Sequence, residues 1–296
     1  MPRPFRFGVN LLTPSPAADW RAKCRRAEEL GYDVILVPDH LGMVAPFPAL
    51  IAAAEATERP RLGTFVLNAG FWNPVLLARE VAATDALTGG RLELGLGTGY
   101  VQAEHEAAGL PFGSPRERVD HLRHTVAELD RLLGSEEFQP RPVQSRVPLL
   151  IGANGDRMLR LTAEHADIAA FTGARPGATP GTLAPLTAEE LDGRVAHYRE
   201  SAAGRTEPSE LNLLIQIVAV TDDPEPVLKP LLERQPGLSL ERALELPIIL
   251  VGPLEDVVER VRAQRERFGF SYLTVLEPCM EAFAPVMQRL REESAC

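Results

Sequence analysis

Short apolar runs alternate with helical patterns along the whole chain. Residues 5–12 (FRFGVNLL) alternate apolar and polar as a strand does, and 33–40 (DVILVPDH) are nearly all apolar, as in a strand buried on both faces. Further strands are predicted at 61–68, 91–97, 147–152, 167–173, 211–220 and 271–278. Between them lie helical stretches. Residues 19–31 open on Asp19 and stop at Gly31; 73–90 open on Asn73-Pro74 and stop at Gly89-Gly90. In 114–134, Ser114, Pro115 and Glu117 form a capping box, and Val119, Leu122, Val126, Leu129 and Leu133 recur at steps of three and four. Other helices are expected at 48–57, 156–166, 189–201, 254–269 and 283–293.

Eight strands separated by helices imply parallel pairing, and eight such units in this length predict an α/β chain folded as one (β/α)8 TIM barrel. A doubly wound open sheet is the structural rival. Domain organisation is expected to be single, residues 1–296, with insertion segments near 172–190 and 221–247 at the C-terminal ends of the strands. The stretch 172–186 is rich in Pro, Gly and Thr and reads as a long mobile loop suited to be a lid.

Composition narrows the partners. The 296 residues are 45% hydrophobic and carry a net charge of −10, which argues against a nucleic-acid or anionic-membrane surface. There is no bilayer-length apolar run and no signal-peptide core. Cys24, Cys279 and Cys296 are scattered, which fits a reducing cytoplasm and gives no metal-ligand spacing. His121 and His124 stand at i, i+3 mid-helix and read as a solvated face rather than as ligands to a metal.

In a barrel the chemistry lies at the C-terminal strand ends. There the sequence places Asp39-His40, Asn68, Gly97-Thr98-Gly99, Gly152-Ala153-Asn154-Gly155, Thr172 and Glu277, with aromatic bulk at Phe71, Trp72 and Tyr100. The run GLGTG (95–99) resembles a phosphate loop. A dinucleotide fingerprint would need Gly or Ala at 100 or 102, where Tyr100 and Gln102 stand, and a helix opening at once. The glycines read instead as bare backbone clearing room for a flat cofactor. GANGD at the opening of the fifth helix is a candidate phosphate site. His40 beside Asp39 is the candidate proton donor or acceptor. Phe71-Trp72 either stack on a ring or pack their own loop. Neither a nucleophile elbow nor a P-loop occurs.

GYDVILVPDH, RLGTFVLNAGFWNP, LTGGRLELGLGTGY with AEHEAAG, VPLLIGANGDRMLRLTAEHADI and ILVGPLEDVVERV, in that order, resemble the luciferase-like flavin monooxygenase superfamily, and most closely its coenzyme F420-dependent branch. The resemblance implies a (β/α)8 barrel, a homodimer, a cytoplasmic oxidoreductase and a non-proline cis peptide near 67–69. It implies hydride transfer between the deazaflavin F420 and a small-molecule substrate. In that reading His40 and Asp39 are catalytic. Asp39, Asn68, Gly97, Thr98, Gly99, Gly152, Ala153, Asn154, Gly155 and Thr172 hold the cofactor. The alternatives are an FMN-dependent monooxygenase and a non-catalytic flavin-binding barrel. Two positions depart from relatives. Thr98 stands where the luciferase branch has an arginine facing the flavin phosphate, and Tyr100 where sugar-phosphate dehydrogenases of this type have an acid.

Overall fold

The computed structural model describes residues 3–177, 183–235 and 237–294. The chain begins with β1 (Arg6–Asn10), α1 (Ala17–Glu29), β2 (Val34–Val37) and α2 (Pro46–Ala54). Next come β3 (Arg61–Thr64), β4 (Leu67–Asn68), α3 (Pro74–Leu87), β5 (Leu92–Gly97), α4 (Gln102–Ala107) and α5 (Pro115–Leu133). The middle holds β6 (Leu149–Ala153), α6 (Asp156–His165), β7 (Ile168–Phe171), β8 (Ala174–Pro176), β9 (Leu183–Pro185), α7 (Ala188–Ser201) and β10 (Glu210–Ile215). The last part holds β11 (Ile217–Val220), α8 (Glu225–Arg234), α9 (Leu240–Leu244), β12 (Ile249–Gly252), α10 (Leu254–Phe268), β13 (Tyr272–Leu276) and α11 (Met280–Ser294).

Eight parallel strands close a ring in the order β1, β2, β3, β5, β6, β7, β10, β13, with β13 pairing back onto β1. This is the (β/α)8 barrel that the alternation predicts, and the open-sheet rival falls because the ring has no free edge. The helices form where their caps say they should. Asn73 accepts from the backbone N–H groups of Val75 and Leu76 ahead of Pro74, and Ser114 with Glu117 makes both hydrogen bonds of the capping box.

Period-two alternation sorts every strand residue to one of two cores. Phe7, Val9, Ile35, Val37, Leu94, Leu96, Ile151 and Val275 face outward into the main core. Val34, Leu36, Phe65, Leu150, Ile168, Ala170, Leu214 and Tyr272 form a second cluster. They alternate with the first set and so fill the barrel interior. At the N-terminal end of the barrel that interior is charged. Arg6 reaches Glu93 at 2.6 Å and Glu210 at 2.7 Å, and Arg61 reaches Glu93 at 2.6 Å. β1 and β5 are not neighbours in the ring, so the Arg6–Glu93 pair crosses the interior. The Arg6 guanidinium also stacks 4.5 Å over the Tyr272 ring.

Three sequence expectations are corrected. The strand at 61–68 is interrupted: β3 ends at Thr64, the Phe65–Val66 peptide is cis, and the chain pairs with β5 again at Leu67–Asn68. The cis bond thus lies before the 67–69 stretch. The strand at 211–220 divides at Gln216. Its second half, β11, pairs with β12 in a separate two-stranded sheet, and the sequence reading had not found β12. The stretch 172–186 is not loop throughout, because β8 and β9 pair antiparallel on either side of residues 178–182, which lie outside the described residues, as does Cys296. The segment 221–247 carries α8 and α9. Among the described residues no helix is long and apolar enough to cross a membrane.

Candidate active site

A cavity of about 930 Å³ opens over the C-terminal strand ends. Asp39, His40, Asn68, Gly97, Thr98 and Gly99 line one side of it; Gly152, Asn154, Gly155 and Thr172 line another. Ala153 does not. Its side chain points out of the barrel into the main core, as alternation from Gly152 requires, and it is buried there.

Asp39 is held by two donors. Its Oδ2 accepts from the Asn68 backbone N–H and from the Trp72 indole, each at 3.1 Å. Burial pushes its carboxyl above the ordinary range, partly offset by these two hydrogen bonds. Asp39 therefore does not contact the His40 ring through a hydrogen bond. The His40 partner is Glu104, from the first turn of α4, whose Oε1 lies 2.9 Å from Nδ1. A carboxylate there fixes hydrogen on Nδ1 and leaves Nε2 as the free ring nitrogen. The Tyr100 ring stands edge-on to His40 at 5.7 Å. Burial, and after it the charge of Glu104, raises the Tyr100 phenol above its usual value.

Asn68 is fixed by a histidine that the sequence reading passed over. His105 is buried, and its Nδ1 must donate to the Pro111 carbonyl at 2.9 Å. Its Nε2 is then an acceptor for the Asn68 amide at 2.9 Å, while Asn68 Oδ1 accepts from Gly70 N–H at 3.0 Å. Phe71 packs on the His105 ring at 4.9 Å, and Trp72 packs edge-on to Phe47 at 5.3 Å. Neither lines the cavity, so these aromatics pack their loop. His121 Nε2 donates to the Ala69 carbonyl at 3.1 Å, so it braces the same turn rather than facing solvent; His124 is exposed.

The bare glycines have a reason within the protein. A Cβ on Gly95 would lie 1.9 Å from the Thr64 carbonyl oxygen, and one on Gly97 2.7 Å from Val66 Cγ2. Gly99 has φ +68°, and a Cβ there would meet the Asn68 amide at 2.4–2.6 Å. The three glycines accommodate the interrupted third strand, residue for residue, and a Cβ on Gly152 would come 3.7 Å from Val66 Cγ2. Gly97 and Gly99 still offer backbone to the cavity, but the room their side chains would take is already filled.

On the far wall, one atom of the Asn154 side chain faces the carbonyls of Ala153 and Ala174 and sits 2.6 Å from Thr172 Oγ1. Two carbonyl neighbours identify that atom as the amide nitrogen. Gly155 precedes α6 with open space on its Cα, and no side chain caps that helix. Asp156 in the first turn is neutralised by Arg194 at 2.5 Å. Among the described residues no group of three or more His, Cys, Asp or Glu side chains is arranged to hold a metal ion.

A family model described as luciferase-like monooxygenase matches residues 3–235. The chain belongs to that family. Among curated relatives of this luciferase-like protein, the F420-dependent glucose-6-phosphate dehydrogenase of Intrasporangium calvum is 33% identical over 167 residues, 48% of this chain and 50% of that one. The 5,10-methylenetetrahydromethanopterin reductase of Methanolobus tindarius is 26% identical over 182 residues, 57% and 55% of the two chains. The luciferase-like chain thus spans about half the length of these relatives. A solved F420-dependent secondary alcohol dehydrogenase, in complex with an F420-acetone adduct, superposes over 98% of this chain and 100% of its own with a TM-score of 0.79. At 16% identity that likeness speaks for the fold.

Besides Glu104, the cavity of this luciferase-like barrel is lined by Asn10, Leu12, Met43, Leu214, Gln216 and Leu276, none of which the sequence reading placed in the site, while His105 stands buried behind Asn68. A signal was available. Asn10, Leu214, Gln216 and Leu276 keep the inward phase of their strands, counted in twos from the buried interior.

Proposed function

We propose that the protein is an oxidoreductase that uses coenzyme F420 and moves a hydride between the deazaflavin and a small organic substrate. The observation that carries this reading is the His40–Glu104 pair at the cavity wall, with Nε2 of His40 free. The family and the names of the curated relatives support it. The bound cofactor would supply the two-electron chemistry; the chain supplies position, charge and the proton.

The residues fit such a group. An elongated anionic cofactor needs a roomy cavity and an anion-binding end, and the uncapped N-terminus of α6 with open Gly155 offers the second. Gly152, Asn154, Gly155 and Thr172 would hold the phosphate end. Asp39, Asn68 and the backbone of Gly97, Thr98 and Gly99 would border the ring. Asn154 and Thr172 brace each other, and His105 locks Asn68, so these groups are set before a ligand arrives. His40 would exchange a proton with the substrate oxygen through Nε2 while Glu104 holds the ring. Thr98, in place of an arginine, supports F420 over FMN. A homodimer in the cytoplasm completes the reading.

The test is titration of the purified protein with F420 and, separately, with FMN, followed by fluorescence. Saturable quenching of F420 with weak or absent FMN binding is expected. Tight FMN binding with oxygen consumption in its place would overturn the reading.

A further inference from the structure

The turn that ends the third strand hangs on one imidazole. His105 comes from α4 and is 1% exposed. Its partner Asn68 lines the cavity and ties three parts of the wall together. Asn68 Oδ1 accepts from Gly70 N–H at 3.0 Å. Gly99 packs against the same amide, since a Cβ there would come 2.4–2.6 Å from its atoms. The Asn68 backbone pairs with Gly97 and donates to Asp39. Resting on the F420 reading above, we propose that His105 is a positioning residue. Its neutral ring, with hydrogen on Nδ1 alone, holds this wall in its binding form, and a proton on Nε2 releases it.

The pattern of donors and acceptors has one solution. The Pro111 carbonyl can only accept, so Nδ1 carries a hydrogen. Gly70 N–H can only donate, so the atom facing it is Asn68 Oδ1. The amide nitrogen then faces Nε2 at 2.9 Å, and that bond exists only while Nε2 is bare. With a proton on Nε2, two donors meet. Turning the amide over does not help. Oδ1 then serves Nε2–H, but the NH2 group faces Gly70 N–H. Either way a hydrogen bond between buried groups is lost, which is costly where water does not reach.

The ring has no room to step aside. Gly70 lies so close that a Cβ on it would sit 2.6 Å from His105 Cε1. Phe71 and Phe112 pack on the ring with centroids at 4.9 and 5.0 Å. Nor does an acid compensate a charge there. The loop after β2 brings Asp39, committed to Asn68 N–H and Trp72, and α4 brings Glu104, committed to His40. From α5 come Arg118, stacked 4.1 Å over Phe112, and His121, on the Ala69 carbonyl. Among the described residues the ring has an amide and a carbonyl as partners and no carboxylate.

Linkage gives the consequence. A ligand that needs the wall in place and a proton that displaces it oppose each other. F420 affinity should hold on the alkaline side and fall as pH drops through the range in which histidines gain a proton, about pH 8 to about pH 5.

The tests use the full chain. Nitrogen NMR of the isotope-labelled, cofactor-free protein reads the tautomer, with the His105 signals identified by their loss in His105→Gln. At about pH 8, Nδ1 should be pyrrole-like and Nε2 pyridine-like. A hydrogen on Nε2 there overturns the proposal. The exchange protection of the Gly70 amide should drop at the pH where Nε2 gains its proton; protection that ignores that step also overturns it. F420 dissociation constants, followed by fluorescence across pH, test the link to binding. His105→Gln offers an amide oxygen in place of Nε2 and gains no proton in this range. It should match wild type at about pH 8 and lose the fall on the acid side. His105→Phe keeps the ring packing but no acceptor, and should weaken F420 about tenfold at every pH. Asn68→Asp can accept from Gly70 N–H and from Nε2–H of the protonated ring together, so it should abolish the fall. Parallel profiles in wild type and His105→Gln would assign the pH dependence to Asp39, His40, Glu104 or His121 and overturn the proposal. If F420 binds at no pH, the cofactor reading fails, and the tautomer and the Gly70 protection decide the role of His105 by themselves.

Discussion

Asp39 holds a carboxylate where burial disfavours its charge. Its acid is raised above the unfolded value, so in the pH range between the two the folded state binds more protons. Stability from this group is therefore present at low pH and lost as pH rises through that range. Asp39→Asn keeps one oxygen that can accept from both Trp72 and Asn68 and removes the buried charge. It is expected to melt higher than wild type at pH 7, with the advantage shrinking towards about pH 4, where ordinary carboxylates protonate. Calorimetry across pH checks it; a difference that does not change with pH would show that charge is not the cause. Glu104→Gln tests the other acid. Turnover should fall roughly tenfold to a hundredfold with F420 affinity retained, because the imidazole loses the carboxylate acceptor that orients it through Nδ1. Unaltered rates would leave Glu104 as a packing residue. At this scale, what sits at the strand ends was legible, Asp39 and His40 above all. The pairing was not. Glu104 and His105 arrive from a six-residue helix whose return over the barrel no local pattern encodes.

Among the elements, the strands were legible because each carries a clean outward apolar phase. The breaks in them were not. Gln216 and the Phe65–Val66 pair sit inside runs that look continuous, since a departure from the ladder at one peptide leaves apolar composition untouched. The inward phase was also readable in part. Arg6, Glu93 and Glu210 stand at strand beginnings as isolated charges, and the structure joins them across the barrel. Glu93 and Glu210 side chains are 3% and 4% exposed, so neither can be left alone. Burial already raises the Glu210 acid despite Arg6. Arg6→Ala strands Glu210 and leaves Glu93 with Arg61 alone, and should cost about 3–5 kcal/mol. Urea unfolding measures it, and a loss under about 1 kcal/mol would mean that the pairs are as weak as exposed ones.

For the whole molecule, the chain separates stability from chemistry along the barrel axis: a charged, tied N-terminal end, an apolar middle, and an amide-lined mouth. The fold was legible because eight similar units repeat the same signal. The cavity was legible only in outline, since its wall is assembled from strands far apart in the chain and its width is decided by how side chains interlock. The seat of Val66 on Gly95, Gly97 and Gly152 has a consequence for how such a barrel can change over generations. Gly97→Ala alone puts its new methyl 2.7 Å from Val66 Cγ2, and should lose about 1–3 kcal/mol. After Val66→Ala the same step should be nearly neutral, which a double-mutant cycle reads directly. Gly95→Ala meets a backbone oxygen at 1.9 Å, and no side-chain change elsewhere makes room. Substitutions here have a permitted order. A lineage, or a laboratory library, can reach 97 by way of 66, while 95 stays closed unless the third strand itself is rebuilt.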